Sequence, residues 1–323
     1  MTELELKILA IIQDAFPLEK RPYRRLAEVL NAQEACAGGD ARGHLTEQAV
    51  FDAVENLRRS GVIRRIGGIY DSRRLGFISR LCAGKVTDLD KFASAVNGIP
   101  AITHNYVRSH EYNVWFTAIA ESEGEIRAIV DGLCASTGLH DVHILIATKK
   151  FKINTVMRVL KENEDFRLRG NDDRGGQFIA ALSSSDKARI RIACEDIPHT
   201  LTPFADWGVS LKALRDDLAQ KRMRRFGAIL RHQDAGFAYN AMLCFNAPAD
   251  AGKILAQKSY VSHCYERPSF EGFPYTLYAM MHAQSAEELD AFIKDAAVSI
   301  GNPEYAVLHS VRELKKTSFR FFA

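Results

Sequence analysis

Apolar residues at Leu4, Ile8, Ile11 and Ile12 recur at helical spacing, so the chain opens with an amphipathic helix. A second short helix is predicted over residues 24–30. Thr46 stands where an N-cap belongs, ahead of a third helix whose inward face is Val50, Val54 and Leu57. Gly61 closes that helix and Val62-Ile63-Arg64-Arg65 begins a strand, which together make a winged helix-turn-helix. The pattern then changes. Strands are predicted over residues 79–86, 102–108, 113–120 and 143–148. Leu89, Phe92 and Val96 mark the inner face of a helix after the first of them. A second helix is announced by Ser122 and Glu125 at capping-box spacing, and Ser285 and Glu288 repeat the signal ahead of Leu289 and Phe292. The order strand, helix, strand, strand, helix, strand is that of a ferredoxin-like domain.

The whole pattern occurs twice. Arg64-Arg65-Ile66-Gly67-Gly68-Ile69 matches Arg224-Arg225-Phe226-Gly227-Ala228-Ile229, and Leu75-Gly76-Phe77 answers Ala235-Gly236-Phe237. Tyr112-Asn113-Val114-Trp115 lines up with Tyr275-Thr276-Leu277-Tyr278, and Lys149-Lys150 with Lys315-Lys316. The second winged segment is terser, with Ser210 as N-cap and Leu211, Leu214 and Leu218 inward. The expected divisions are a winged helix-turn-helix over residues 1–70, a ferredoxin-like domain over 71–160 and a charged linker rich in Gly and Asp over 161–177. A second winged segment over 178–231 and a second ferredoxin-like domain over 232–323 follow. The fold class is α+β.

Ile102-Thr103-His104-Asn105-Tyr106-Val107-Arg108 recurs as Val261-Ser262-His263-Cys264-Tyr265-Glu266-Arg267. With side chains alternating in a strand, one face of each copy carries an aliphatic residue, His, Tyr and Arg in that order. A face built only for packing would be apolar, because an unpaired buried imidazole or guanidinium costs roughly 2 to 5 kcal/mol. Two copies of the row therefore point to a polar pocket.

Composition narrows the classes. With 323 residues, 47% of them hydrophobic, the chain can bury a sizeable core. Forty-three Lys and Arg against forty Asp and Glu leave a formal charge of only +3, so no global field points to nucleic acid or to a membrane. No signal peptide opens the chain and no apolar run is long enough to span a bilayer, which places it in the cytoplasm. Six scattered cysteines, without a Cys-x-x-Cys pair, suit reduced thiols better than a metal site. His140 and His143 stand three apart, but in an extended segment their rings point to opposite faces.

A winged helix-turn-helix joined to a ferredoxin-like domain resembles the Lrp/AsnC regulators. Arg64-Arg65-Ile66-Gly67-Gly68, His104-Asn105-Tyr106-x-Arg108, the segment from Tyr112 to Thr117 and Thr148-Lys149-Lys150-Phe151 are similar to one subunit of the siroheme decarboxylases. The segment from Arg224 through Arg231 to His232, His263-Cys264-Tyr265-Glu266-Arg267-Pro268 and Pro274-Tyr275-Thr276-Leu277-Tyr278 resemble the other subunit. The chain is thus similar to a fusion of both, and the resemblance implies a tandem repeat closed on itself as an internal pseudo-dimer. It implies loss of carbon dioxide from the C12 and C18 acetates of siroheme, giving 12,18-didecarboxysiroheme for heme d1 or for an alternative heme route. No added cofactor is implied, the iron being part of the siroheme substrate. The implied partner is siroheme; a larger assembly, of copies of this chain or with other heme d1 pathway proteins, stays open.

The residues suit that chemistry. Guanidinium grips a carboxylate with two parallel bonds and stays charged, and Arg65, Arg108, Arg225, Arg231 and Arg267 are the candidates. Imidazole titrates near neutrality, so His104 and His263 are candidate proton donors, and either is alternatively an axial ligand to the substrate iron. Tyr106 and Tyr265 either bond a carboxylate or pack. Two rival classes remain: a DNA-binding regulator, and a protein that binds a tetrapyrrole without acting on it. Against DNA, residues 31–44 separate the second and third helices, and Glu47, Asp52 and Glu55 oppose only Arg58 and Arg59 on the third.

Overall fold

The structure, a computed structural model, describes residues 1–36, 44–153, 182–205, 207–230 and 239–322. The expected linker over residues 161–177 lies outside them. The first winged segment is α1 (Glu3–Ile12), α2 (Pro22–Cys36), α3 (Glu47–Arg59) and β1 (Ile63–Tyr70). Helix α2 runs six residues past the predicted end at Leu30, so the insertion expected from Asn31 begins only after Cys36. Thr46 caps α3 as expected, its hydroxyl accepting from the Ala49 amide at 3.2 Å.

The first ferredoxin-like unit is β2 (Ile78–Lys85), α4 (Leu89–Asn97), β3 (Ile102–Arg108), β4 (Val114–Ala120), α5 (Glu123–Thr137) and β5 (His140–Leu145), followed by β6 (Lys149–Ile153). In the second half come α6 (Ser184–Ala193), α7 (Leu211–Ala219), β7 (Met223–Leu230), β8 (Tyr239–Phe245), α8 (Ala251–Gln257), β9 (Val261–Glu266), β10 (Leu277–Ala283), α9 (Ala286–Ser299) and the long β11 (Tyr305–Lys316). Ser122 and Ser285 cap α5 and α9 as predicted. The reciprocal bond of the box is displaced by one residue, since Glu125 and Glu288 accept from the amides of Glu121 and Gln284.

Two sheets organise the described residues. The wings β1 and β7 pair antiparallel with each other. The helices of both winged segments share a single apolar core with them, from Ile8, Leu26 and Val54 to Ile190, Leu214 and Phe226. The other strands form one sheet in the order β5-β2-β4-β3-β11-β8-β10-β9-β6. Its edge strands β5 and β6 are separated by only residues 146–148, so the sheet curls until its edges approach each other.

The curl brings two half-sheets face to face. Ala83, Trp115 and Leu145 of the first half pack with Met242, Cys244, Tyr278 and Leu308 of the second. The outer faces are covered by helices: α4 and α5 over Cys82, Val114 and Phe116, and α8 and α9 over Leu243, Leu277 and Ala279. The halves are also laced together. Strand β6 leaves the first half to pair with β9, and the end of β11 leaves the second half to pair with β3. This is the expected internal pseudo-dimer.

The ladders correct one sequence match. Lys150 lies across from Tyr265 and Lys152 from Cys264, while Glu313 lies across from Tyr106 and Lys315 from Asn105. The structural counterpart of Lys315 is therefore Lys152, not Lys149. Both do the same work: Lys152 donates to the carbonyl of Lys258 at the end of α8, and Lys315 to those of Val96, Asn97 and Ile99 at the end of α4.

Candidate functional site

The site begins with an irregularity that both halves share. In β3, Ile102 lies across from Ala118 and His104 from Thr117, so Thr103 is an extra residue in the ladder. In β9, Val261 lies across from Met281 and His263 from Met280, so Ser262 is the extra residue. Such a bulge breaks the two-residue period and re-aims the side chains beyond it. Ile102 and Val261 consequently face the helices, whereas His104 and Tyr106, and His263 and Tyr265, lie on the opposite face of their half-sheets. The expectation that the aliphatic residue shares the His-Tyr-Arg face is corrected for this reason.

The bulge also sets a hydroxyl beside each imidazole. Thr103 Oγ1 lies 3.0 Å from His104 Nδ1, and Ser262 Oγ lies 3.0 Å from His263 Nδ1. In each ring this leaves Nε2 as the nitrogen without a hydrogen-bond partner among the described residues. Both rings keep some exposure to solvent although their surroundings are densely packed. Burial pushes the pKa of His104 down to about 3, helped by the positive charges of Lys316 and Arg64 and by His263 itself. Burial likewise pushes His263 down to about 4, with Arg224, Lys152 and Lys316 adding to the effect. The two rings thus share one cationic neighbourhood, which together with burial favours their uncharged form near neutral pH.

The arginines sort differently from the sequence expectation. Arg108 and Arg267 are buried, at 5% and 9% exposure, and each is committed to the opposite half. Nη1 of Arg108 donates to Ser310 Oγ at 2.7 Å and to the Leu308 carbonyl at 3.3 Å, and Nη1 of Arg267 donates to the Leu145 carbonyl at 2.6 Å. They lie over the rings of Tyr106 and Tyr265, at 4.9 and 5.1 Å from the centroids. In this arrangement they pin the halves together beneath the two tyrosines, with Nη1 of each bonded within the chain.

Arg65 and Arg225 turn back along the wings, bonding the carbonyls of Gly68 and Ala228. Their neighbours Arg64 and Arg224, which the sequence reading passed over, are the ones whose charge acts on the histidines. Arg64 also donates to the carbonyl of Lys316 at 3.2 Å and to the hydroxyl of Ser318, which fixes the end of β11 beside His104. Lys316 itself lies directly across the ladder from His104. Arg231, with His232, lies outside the described residues. Two signals in the sequence could have pointed to the missed groups: a hydroxyl precedes both histidines, and both wings carry an arginine pair and not a single arginine.

The remaining candidates have settled surroundings. Trp115 is core, its indole N–H donating to the Tyr112 carbonyl at 2.7 Å. His143 stacks on Phe270 with centroids 3.8 Å apart and bonds Asp141 at 3.0 Å, while His140 meets the Gly138 carbonyl. The helix that would read DNA is poorly equipped for it. On α3, Arg58 is drawn into a network with Glu55, Asp196 and His199, and Arg59 is bonded to Asn56. The wings, paired edge to edge, are held against each other. No helix among the described residues is long and apolar enough to cross a membrane.

Comparison with known proteins agrees with this architecture. Residues 74–152 and 234–315 match the AsnC-like ligand binding domain, and residues 5–37 match the siroheme decarboxylase NirDL-like HTH domain. A siroheme decarboxylase of Hydrogenobacter thermophilus is 31% identical over 98% of this chain and 94% of its own length. The alpha subunit of the siroheme decarboxylase of Desulfovibrio desulfuricans is 42% identical over 49% of this chain and 85% of its own. The beta subunit from the same organism is 35% identical over 44% of this chain and 97% of its own. The crystal structure of the siroheme decarboxylase NirDL in complex with an iron-uroporphyrin III analogue superposes with a TM-score of 0.68 at 29% identity, covering 98% of this chain and 94% of that one.

Proposed function

The chain belongs to the siroheme decarboxylases, in their fused form, and from that premise we propose that it removes the C12 and C18 acetate carboxyls of siroheme to give 12,18-didecarboxysiroheme for heme d1 synthesis. The observation that carries this reading is the pair of bulged strands, each setting an imidazole whose Nε2 has no hydrogen-bond partner among the described residues in a neighbourhood of cations. The relative bound to an iron-uroporphyrin III analogue shows that the same fold accepts an iron tetrapyrrole of this kind.

The chemistry divides into holding and protonating. Siroheme is a polyanion, and Arg64, Arg224 and Lys316, with Arg65, Arg225 and Arg231 beside them, supply the charge that holds its carboxylates. Tyr106 and Tyr265 offer hydroxyls to the same groups. For each reacting acetate the bond from methylene to carboxylate breaks. Its electron pair passes into the macrocycle, carbon dioxide departs, and one proton reaches the exocyclic carbon to leave a methyl group. His104 and His263 are the candidate donors in this reading, and either is alternatively the axial ligand to the substrate iron, which leaves the other as the acid. Burial is the main cause of both depressed pKa values and the neighbouring cations add to it; the carboxylates that enter offset the cations' share, which moves either ring toward the imidazolium the step requires. No cofactor enters beyond the iron the substrate carries.

Anaerobic incubation of the purified chain with siroheme, followed by mass spectrometry, tests the reading. Two successive losses of carbon dioxide are expected. Unchanged siroheme retained by the protein would leave a binding protein in place of an enzyme, and a salt-sensitive shift of promoter DNA would bring the regulator reading back.

A further inference from the structure

The two imidazoles are buttressed by hydroxyls at the same distance, but the hydroxyls are not equivalent. Ser262 Oγ donates its own proton to the carbonyl of Met280, at 3.2 Å. A hydroxyl has one proton to give, so toward His263 it can only accept, and His263 Nδ1 must carry the hydrogen. The other nitrogen, Nε2, then presents a bare lone pair. Thr103 is different. It is 2% exposed, and His104 Nδ1 is the single partner of its hydroxyl among the described residues. Were that hydroxyl to accept from Nδ1–H, its own proton would be buried without an acceptor, which is the unfavourable arrangement for a polar group. It donates to Nδ1 instead, and His104 carries its hydrogen on Nε2.

Resting on the reading that an iron tetrapyrrole fills the space between the half-sheets, we infer that Thr103 and Ser262 are positioning residues that hold their histidines in opposite tautomers, making His263 the ring that can bond the substrate iron and His104 the ring that donates a hydrogen bond to a substrate carboxylate. The arrangement at His263 is a chain, Nδ1–H to Ser262 Oγ and Ser262 O–H to the Met280 carbonyl. Metal-ligating histidines are oriented and made more basic by this kind of support behind the ring. His104 cannot bond a metal through Nε2 while that nitrogen carries hydrogen. Nothing in the row itself separates the two, since each is His, Tyr, Arg on a bulged strand. The division comes from the residue that the bulge inserts and from the carbonyl that only Ser262 reaches.

The test uses the full chain with ferric uroporphyrin III as the spectroscopic probe and siroheme as the substrate. In the wild-type complex, electron paramagnetic resonance should show a nitrogen ligand to iron. His263→Ala should abolish that signature, Ser262→Ala should shift it, and Ser262→Thr, which keeps a hydroxyl, should restore it. Thr103→Val should leave the spectrum as in wild type and lower kcat/KM for siroheme about tenfold, with Thr103→Ser recovering it. The inference is overturned if His104→Ala removes the ligand and His263→Ala does not, if Thr103→Val and Ser262→Ala move the spectrum alike, or if the wild-type complex has no nitrogen ligand. The outcomes separate from those of the functional reading. A chain with the expected spectra that releases no carbon dioxide sinks the decarboxylase reading alone, and a chain that turns siroheme over with the spectral pattern reversed sinks this inference alone.

Discussion

The row containing His104 and the row containing His263 are built on the same bulged strand, yet different partners complete them. Across the ladder from His104 stands Lys316, and across from Tyr106 stands Glu313. Across from His263 stands Ile153, and across from Tyr265 stands Lys150. On the opposite flank, Thr117 and Trp115 border the first row, and Met280 and Tyr278 the second. The strand that crosses over from the other half is the source of the first set of differences. A duplicated module therefore keeps its functional side chains on its own strands and varies the strand it receives, so that two copies of one row acquire unequal charge without either row changing.

The sharpest way to break this comparison is to remove one ring at a time. His104→Ala and His263→Ala should each lower turnover of siroheme at least tenfold, general acid groups being worth about 10²- to 10⁴-fold. Steady-state rates by product mass decide, and wild-type rates in both would end the assignment. Next in size is the pinning of the halves. Arg108 bonds Ser310 and the Leu308 carbonyl, whereas among the described residues Arg267 is bonded to the Leu145 carbonyl alone. Arg108→Ala should therefore destabilise the fold by about 2 to 4 kcal/mol and Arg267→Ala by less, read from urea midpoints. Unchanged midpoints with weakened siroheme binding would return both arginines to the carboxylates.

A smaller effect is expected from making the first row like the second. Lys316→Ile should weaken siroheme binding about tenfold, the scale of one lost charge-assisted bond. Titration by absorbance checks it, and equal affinity would mean that Lys316 only shapes the strand. The smallest effect is in acid. His104 and His263 have pKa values near 3 and 4 in the folded chain against 6.5 in the reference state. The unfolded chain binds more protons between these limits, so both rings add stability above about pH 6.5 that is lost as pH falls toward 4. Replacing both by Gln should flatten that part of the stability curve, and an unaltered slope would show that other groups set it.

Much of this was legible in the chain itself. The duplicated row, the capped helices and the strand order follow from spacing, because these depend on neighbours a few residues apart. What the spacing could not reveal is the bulge. A strand with one extra residue reads like any other strand, and only its partner's register shows that Thr103 and Ser262 stand outside the ladder. The same holds for Arg108 and Arg267. Their alternation with His and Tyr correctly places them on the inner face, but whether a guanidinium meets a ligand or a carbonyl from 122 or 200 residues away along the chain is decided by tertiary contacts. The arginine pairs of the wings were visible, while which member faces the site depends on how β1 and β7 pair.

The crossing of β6 and of the end of β11 into opposite half-sheets has a consequence for dosage. Where the same architecture is divided between an alpha and a beta subunit, each chain leaves a neighbour's sheet short of a strand until the two meet, and dilution pulls them apart. Carried on one polypeptide, the partner arrives at an effective concentration that dilution does not lower. A cell holding few copies of the single chain would therefore assemble as large a fraction of them as a cell holding many.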